Sequence, residues 1–405
     1  MKRPSPLDIL EASEVEILQQ LKDSPELLEA IPAWTGKETR LQEHLREKYS
    51  PELVRSAFRL LDVRRKAEGI LPNAEQLWLT NVGLEQSTAL DVARHKAKRF
   101  PADVEVYDLC SGVGVDTDVL LKRGPVVSVD INPAMVIRNK WNSAVWNGQQ
   151  SANLAVKVAD VKSLDLSGRI VHLDPDRRDG HDRPTKRLEQ YQPDLGWMQQ
   201  LVKTAAGGAI KLSPASNFMQ KFPGCEIELV SLNGECKEAT VWFGELAGDR
   251  SFRATVLPAG ESVTGDPLDA YCPLAEAPMQ YLFDPNPAVV RSGLLDQIGE
   301  MHSLQRLDKA DEYLTADEIP QTDLVTAFRV EATLGNNPKE LKKHLRNSPG
   351  SSYEIKCRHL KVDANELQRK LPKGDGPVKT VFFLRVNGKA RVVVSERIRN
   401  VQISS

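Results

Sequence analysis

From Val104 to about Val256 the chain alternates short β-rich runs with helical or loop stretches: VEVYDL, VVSVDI, LAVKVADV, RIVHLD, GGAIKLS, EIELVSL and ATVWFGEL. Strands joined through intervening helices lie parallel and bury both faces of their sheet, so the pattern predicts an α/β layer structure with helices on either side. The last two runs are separated only by the short NGECKE segment. So short a connection predicts a hairpin and an antiparallel final strand.

Around this unit the patterning changes. Up to about residue 100 it is helical: in Ser50-Pro51-Glu52-Leu53 a capping serine precedes a proline at the first helical position, and Val54, Phe58 and Leu61 follow. Residues 79–100 read as a loop and a helix with a basic end, leading into the first strand. Residues 257–279 are rich in proline and glycine and are expected to link domains. The remainder, 280–405, reads as an α+β domain closed by a hairpin at Asn387-Gly388. The expected organisation is therefore a helical region (1–100), an α/β domain (101–256), a linker and an α+β domain, as befits 405 residues. There is no apolar run near the ~20 residues of a spanning helix and no apolar block of a signal peptide, so no membrane association and a cytoplasmic location are expected. The five cysteines, Cys110, Cys225, Cys236, Cys272 and Cys357, show no C-x-x-C spacing, which argues against a disulfide framework or a zinc site, and no metal is expected.

Chemistry concentrates where the first strand ends. VEVYDL reaches Asp108 and runs through Cys110 into the turn Ser111-Gly112-Val113-Gly114, which opens a helix. Glycines let a ligand approach the backbone, and the helix start offers free N–H donors. The next strand ends in Asp130, placed to accept hydrogen bonds from ribose hydroxyls. A nicotinamide site would carry G-x-G-x-x-G, but Thr117 stands where the third glycine belongs. A carboxylate at Asp108 would repel a pyrophosphate yet attract the cationic methionine end of S-adenosylmethionine (SAM). Charge favours SAM as the cofactor.

DLCSGVG and VVSVD resemble the first two motifs of class I SAM-dependent methyltransferases. The resemblance implies a Rossmann-like seven-stranded sheet. It also implies that Asp108, Gly112 and Gly114 line the methionine side, with Cys110, where the family often has glycine, and Ser111 also in the cofactor site, that Asp130 binds the ribose and that Asp160 sits by the adenine amino group. Ile131 would pack on the adenine ring or in the core. RIVHLD then ends in Asp174-Pro175-Asp176-Arg177, placed where amino-methylating members carry Asp/Asn-Pro-Pro-aromatic. Only its first half matches. Asp174 is either the acid that orients the acceptor amine or a loop-capping acid, and stacking on the base would fall to Arg177, Tyr191 or Trp197. Arg178, Arg183, Lys186 and Arg187 follow, suited to phosphates or to pairing with Asp176, Asp179 and Asp182. His172 and His181 are not expected to act as bases, since an exocyclic amine taking a methyl group from a sulfonium needs little beyond lone-pair orientation and a late proton sink.

The order of a helical region, the DLCSGVG domain with DPDRR, and a C-terminal unit opening on YLFDPNPAVVRSGLL resembles a bacterial methyltransferase family with a THUMP-like C-terminal domain. This resemblance spans nearly the whole chain and implies RNA as partner, with methyl transfer to a nucleobase nitrogen. Residues 325–405 carry 17 Lys/Arg against 7 Asp/Glu in a chain of net charge −2, which fits a polyanionic partner or a solvated basic surface. Lys356, Arg358 and Lys361 are the expected RNA contacts there. Two other readings stay open: an RNA-binding protein that keeps the fold without turnover, and a small-molecule methyltransferase.

Overall fold

The computed structural model describes residues 6–33, 38–177 and 185–398. Six helices come first: α1 (Pro6–Lys22), α2 (Pro25–Ala33), α3 (Glu38–Lys48), α4 (Pro51–Ala67), α5 (Asn81–Gln86) and α6 (Leu90–Ala97). Ser50 caps α4, its Oγ accepting from Leu53 N at 3.2 Å ahead of Pro51. Helix α4 buries Leu53, Val54, Ala57, Leu60 and Val63, an i, i+3, i+4 series that joins the core of the α/β unit.

The β-rich runs form β1 (Val106–Leu109), β2 (Val126–Asp130), β3 (Leu154–Val158), β4 (Ile170–Leu173), β5 (Gly207–Leu212), β6 (Glu226–Leu232) and β7 (Glu235–Gly244). Helices α7 (Val115–Leu121), α8 (Pro133–Asn147) and α9 (Leu195–Thr204) make three of the four connections among the first five, and a loop with a 3-10 turn at Val161–Ser163 leads from β3 to β4. These five are parallel, β1 pairing with both β2 and β4. The chain moves outward from β1 through β2 to β3 and then crosses back to place β4 on the other side of β1. That reversal opens a crevice beyond the carboxyl ends of β1 and β4, where α/β sheets bind ligands.

Strands β6 and β7 form the expected hairpin, with Asn233 and Gly234 both at positive φ (52° and 81°), as a two-residue turn of this kind requires. Two further strands, β8 (Phe252–Leu257) and β9 (Glu261–Gly265), extend the sheet to nine in the order β3-β2-β1-β4-β5-β7-β6-β8-β9. The seven strands implied by the resemblance are all present. The two extra ones went unread because FRATVL runs into, and ESVTG lies within, the Pro/Gly-rich segment 257–279 expected to be a linker, whose first part is thus sheet.

The chain forms two compact units, Met1–Cys225 with Thr240–Gly248, and Glu226–Ala239 with Asp249–Ser405. In the second, β10 (Tyr281–Pro285), α10 (Pro287–Ser292), α11 (Leu295–Met301), β11 (Gln305–Arg306), β12 (Leu314–Ala316), β13 (Val325–Gly335), α12 (Pro338–Asn347), β14 (Tyr353–Cys357), α13 (Ala364–Lys370), β15 (Lys379–Val386) and β16 (Lys389–Arg397) build an α+β fold. Its seven-stranded sheet runs β11-β12-β10-β13-β16-β15-β14. The Asn387-Gly388 hairpin joins β15 to β16 as expected. Among the described residues no helix is long and apolar enough to cross a membrane.

Candidate active site

The crevice at the β1/β4 switch is a cavity of about 720 Å³, within the usual size of small-molecule sites. Its floor is the turn after β1. Cys110 adopts φ +58°, a left-handed conformation that costs a non-glycine residue of order 1 kcal/mol or more and explains why glycine suits this place. Gly112, at φ +53°, faces open space: a Cβ there would meet no atom within 4 Å. A ligand can therefore approach its backbone closely. Asp130 braces the turn, accepting from Gly112 N through Oδ2 and from Asn132 N through Oδ1, both at 2.9 Å. Burial pushes its carboxyl above the ordinary range, with Asp108 and Asp176 adding repulsion and these two N–H groups opposing it.

Cys110, Ser111, Gly112, Asp130, Ile131 and Asp160 all line this cavity, together with Asp174, Pro175, Asp176 and Arg177. Ile131 is 65% exposed, so the core alternative fails and its side chain lies open at the cavity wall. Asp160 caps a short 3-10 turn, its Oδ1 accepting from Lys162 N at 2.9 Å. The Asp176–Arg177 stretch is held by Gln192, whose N–H and C=O bond to the main chain of Asp176 at 3.0 and 2.9 Å.

Two expected cofactor residues stand behind the cavity wall. Asp108 is fully buried, bonded to the Thr117 hydroxyl and, at 2.8 Å, to His172 Nδ1. The strand's alternation turns its carboxylate into the layer beneath α7 instead of toward the ligand. Gly114 caps α7 at φ +92°, where a Cβ would lie 2.6 Å from Asn139 Oδ1. Its small size serves packing, because Asn139 Nδ2 donates to Thr117 Oγ1 (2.8 Å) and Ser128 Oγ (2.9 Å). Gly114→Ala is expected to destabilise the protein by roughly 1–3 kcal/mol, read as a lower midpoint in thermal denaturation. An unchanged midpoint would show that Asn139 can yield.

Bordering the cavity through Thr88 and Asp116 is a buried polar cluster that sequence reasoning passed over. Asp116, on α7, accepts from Thr88 Oγ1 at 2.5 Å and sits 3.1 Å from Lys96 Nζ. His172 Nε2 is 3.7 Å away. Burial is the largest single influence on Asp116 and opposes its ionisation, but Lys96, His172, Lys211 and Thr88 together outweigh it and hold the carboxyl well below the ordinary range. Lys211, on β5, donates to Asp174 Oδ2 at 2.6 Å. Burial raises the Asp174 carboxyl, and Lys211 offsets part of that rise. Lys211 was detectable as a lone cation inside an apolar strand run. Lys96 was masked by the basic residues around it.

Several expected substrate contacts fall elsewhere. Tyr191 is fully buried and Trp197 lies on α9, so neither is among the described residues lining the cavity, and Arg177 is left as the planar group there. Lys186 and Arg187 are exposed. Arg178, His181 and Arg183 lie outside the described residues. In the second unit Lys356 Nζ and Arg358 Nη2 both bind Asp284, at 2.8 and 2.7 Å, and Arg358 also covers the Tyr313 ring. These two cations, expected to meet RNA, hold β14 and the residues after it to β10. Lys361 is exposed and has no ion pair among the described residues. Asp311, Glu312 and His359 come within ligand distance of one another, but Asp311 already accepts from Arg385 N and Glu312 N, and Glu312 binds the His359 ring.

Comparison with known proteins places the chain. Residues 325–397 match the family described as THUMP domain-like. An uncharacterized S-adenosylmethionine-dependent methyltransferase of Mycobacterium tuberculosis is 31% identical over 333 residues, covering 79% of this chain and 90% of the relative. A crystal structure from Porphyromonas gingivalis W83, named for a methyltransferase, superposes with a TM-score of 0.74 at 17% identity, over 96% of this chain and 99% of that one. That likeness extends the shared fold across both units.

Proposed function

The chain belongs to the S-adenosylmethionine-dependent methyltransferases, and from that premise we propose that it transfers the methyl group to a nucleobase nitrogen of RNA. The observation that carries the reading is the single cavity that has the Gly112 turn and Asp130 along one side and Asp174 to Arg177 along the other. RNA is supported by the THUMP-like match at 325–397 and by the basic balance of residues 325–405.

The residues present suit SAM. Gly112 leaves the room a Cβ would take, Asp130 offers a carboxylate beside it for ribose hydroxyls, and Asp160 and Ile131 stand where an adenine edge and face would meet them. When bound, SAM supplies a methyl carbon on a cationic sulfur. Asp174 accepts an N–H of the entering amine and aims its lone pair at that carbon, and Arg177 offers a flat face for the base. Asp174 or solvent would then take the proton that the methylated amine gives up. Positioning supplies most of the acceleration.

The test is calorimetry with S-adenosylhomocysteine and with NAD, followed by transfer of labelled methyl from SAM to total bacterial RNA. S-adenosylhomocysteine binding without NAD binding, and ribonuclease-sensitive label, are the expected results. Label found only in protein or small molecules would overturn the RNA assignment. No heat with S-adenosylhomocysteine would overturn the site.

A further inference from the structure

Lys211 is the one lysine of β5, in the run Gly207–Leu212. Strands β4 and β5 pair Leu173 with Ile210, so the next residues in each, Asp174 and Lys211, emerge side by side at the crevice. Lys211 Nζ lies 2.6 Å from Asp174 Oδ2 and 3.1 Å from the main-chain oxygen of Gln86, and its side chain is only 14% exposed. The other oxygen of Asp174 has no hydrogen-bond partner among the described residues, while the carboxylate borders the cavity.

Gln86 closes α5, and Val82, Gly83, Gln86, Ser87 and Thr88 form a wall of the same cavity. This wall is contributed by the N-terminal helical region, for which the sequence offered no role. It is pressed against the cofactor turn: a Cβ on Gly83 would lie 2.6 Å from Val113 Cγ1. Asn142 of α8 ties the turn to the chain just ahead of that wall, accepting from Trp78 N at 2.7 Å and donating to Trp78 O and Val113 O at 3.2 and 2.9 Å. Lys211 is thus the tie between this wall and the carboxylate across from it.

We propose that Lys211 is a positioning residue for methyl transfer: it latches the 81–88 wall to Asp174 and occupies Oδ2, so that Oδ1 alone faces the acceptor N–H. The inference rests on the methyl-transfer reading of Asp174, but its latch can be observed without any acceptor. A charge-assisted bond at 2.6 Å fixes the carboxylate's rotation. An amine offered one fixed oxygen has one direction for its lone pair, whereas a free carboxylate would permit several.

In Lys211→Met, kcat for labelled methyl transfer to total RNA is expected to fall about 10- to 100-fold, the range in which misplacement acts. KM for SAM and the affinity for S-adenosylhomocysteine are expected to stay within about twofold, since the latch lies away from Asp130 and Gly112. Lys211→Arg, which keeps charge and donors, is expected to recover most of the rate. Amides of residues 81–88 are expected to exchange hydrogen faster in Lys211→Met, with or without RNA. A kcat within twofold of the parent, or a loss of S-adenosylhomocysteine affinity parallel to the loss of rate, would overturn the proposal. Unchanged exchange at 81–88 would overturn the latch. Should the methionine variant fail to fold, Lys211→Gln is measured on the same scale. Should the parent label no RNA, the RNA reading fails, and the exchange result still decides the latch.

Discussion

Asp174→Ala is expected to slow methyl transfer by about a hundredfold or more while leaving S-adenosylhomocysteine affinity within about threefold. The split follows from where the residue sits. Asp174 borders the cavity on the DPDR side, whereas the groups suited to the cofactor, Gly112 and Asp130, lie along the other. Removing the carboxylate takes away the acceptor's hydrogen-bond partner and leaves the Lys211 ammonium, 14% exposed, without its ion pair. Some loss of stability accompanies this, so Asp174→Asn is the companion variant: it keeps an oxygen acceptor of the same shape and is expected to retain more of the rate. The pH profile carries a further sign. Burial holds the Asp174 carboxyl above the ordinary range, and the ionised form is the one that accepts the N–H. The acid limb of the rate is therefore expected above the pH of an ordinary aspartate, and absent in the alanine variant. Steady-state rates with labelled SAM across pH check both points. Equal losses of rate and of S-adenosylhomocysteine binding would assign Asp174 to the cofactor side instead.

How far the sequence reached depended on what each residue's neighbours were. The alternation of β-rich runs with helical stretches announced β1 to β7, because side-chain period and connection length are local properties. Asn387-Gly388 was equally legible, since only a turn with two positive φ values calls for that pair. Gly112, Asp130 and Asp174 fell together in one cavity because each lies at or just after the carboxyl end of a strand, where a parallel sheet opens to ligands. Asp108 shows where such reasoning stops. Its place at a strand end was right, but whether a strand-end side chain points into the crevice or beneath the helix depends on pleat and pairing, and here His172 and Thr117 claim it. Lys356 and Arg358 show the same limit for charge. A cation count cannot tell a cation facing solvent from one held by an acid 72 or 74 residues away, as Asp284 holds these two. The wall made by Val82 to Thr88 was invisible because nothing in a helical pattern says which cavity it will close.

Lys96→Met is expected to produce the largest loss of stability, about 3–5 kcal/mol, because it strands a buried charge. Lys96 is 3% exposed and Asp116 8%, and their ion pair is 3.1 Å long. Methionine fills the lysine's volume yet offers Asp116 no compensating charge, leaving Thr88 and the more distant His172 and Lys211 to bear the carboxylate. At roughly 2–4 °C per kcal/mol, the thermal midpoint should fall by on the order of 10 °C. The double variant Lys96→Met/Asp116→Asn removes both charges and keeps a partner for Thr88, so it is expected to lose less than the single variant, a coupling that a double-mutant cycle measures. Acidity separates charge from packing. In the parent protein the Asp116 carboxyl is held below the ordinary range, so its pairing stabilises the fold at pH above the unfolded value of about 3.9 and that contribution is lost as pH falls through the folded value. In Lys96→Met that carboxyl titrates higher, and protonation relieves the stranded charge earlier. The stability gap between variant and parent should therefore narrow from pH 7 toward pH 4 in denaturant titrations. A gap of the same size at both would mean that Lys96 supports the fold by its methylene packing, with its charge contributing little.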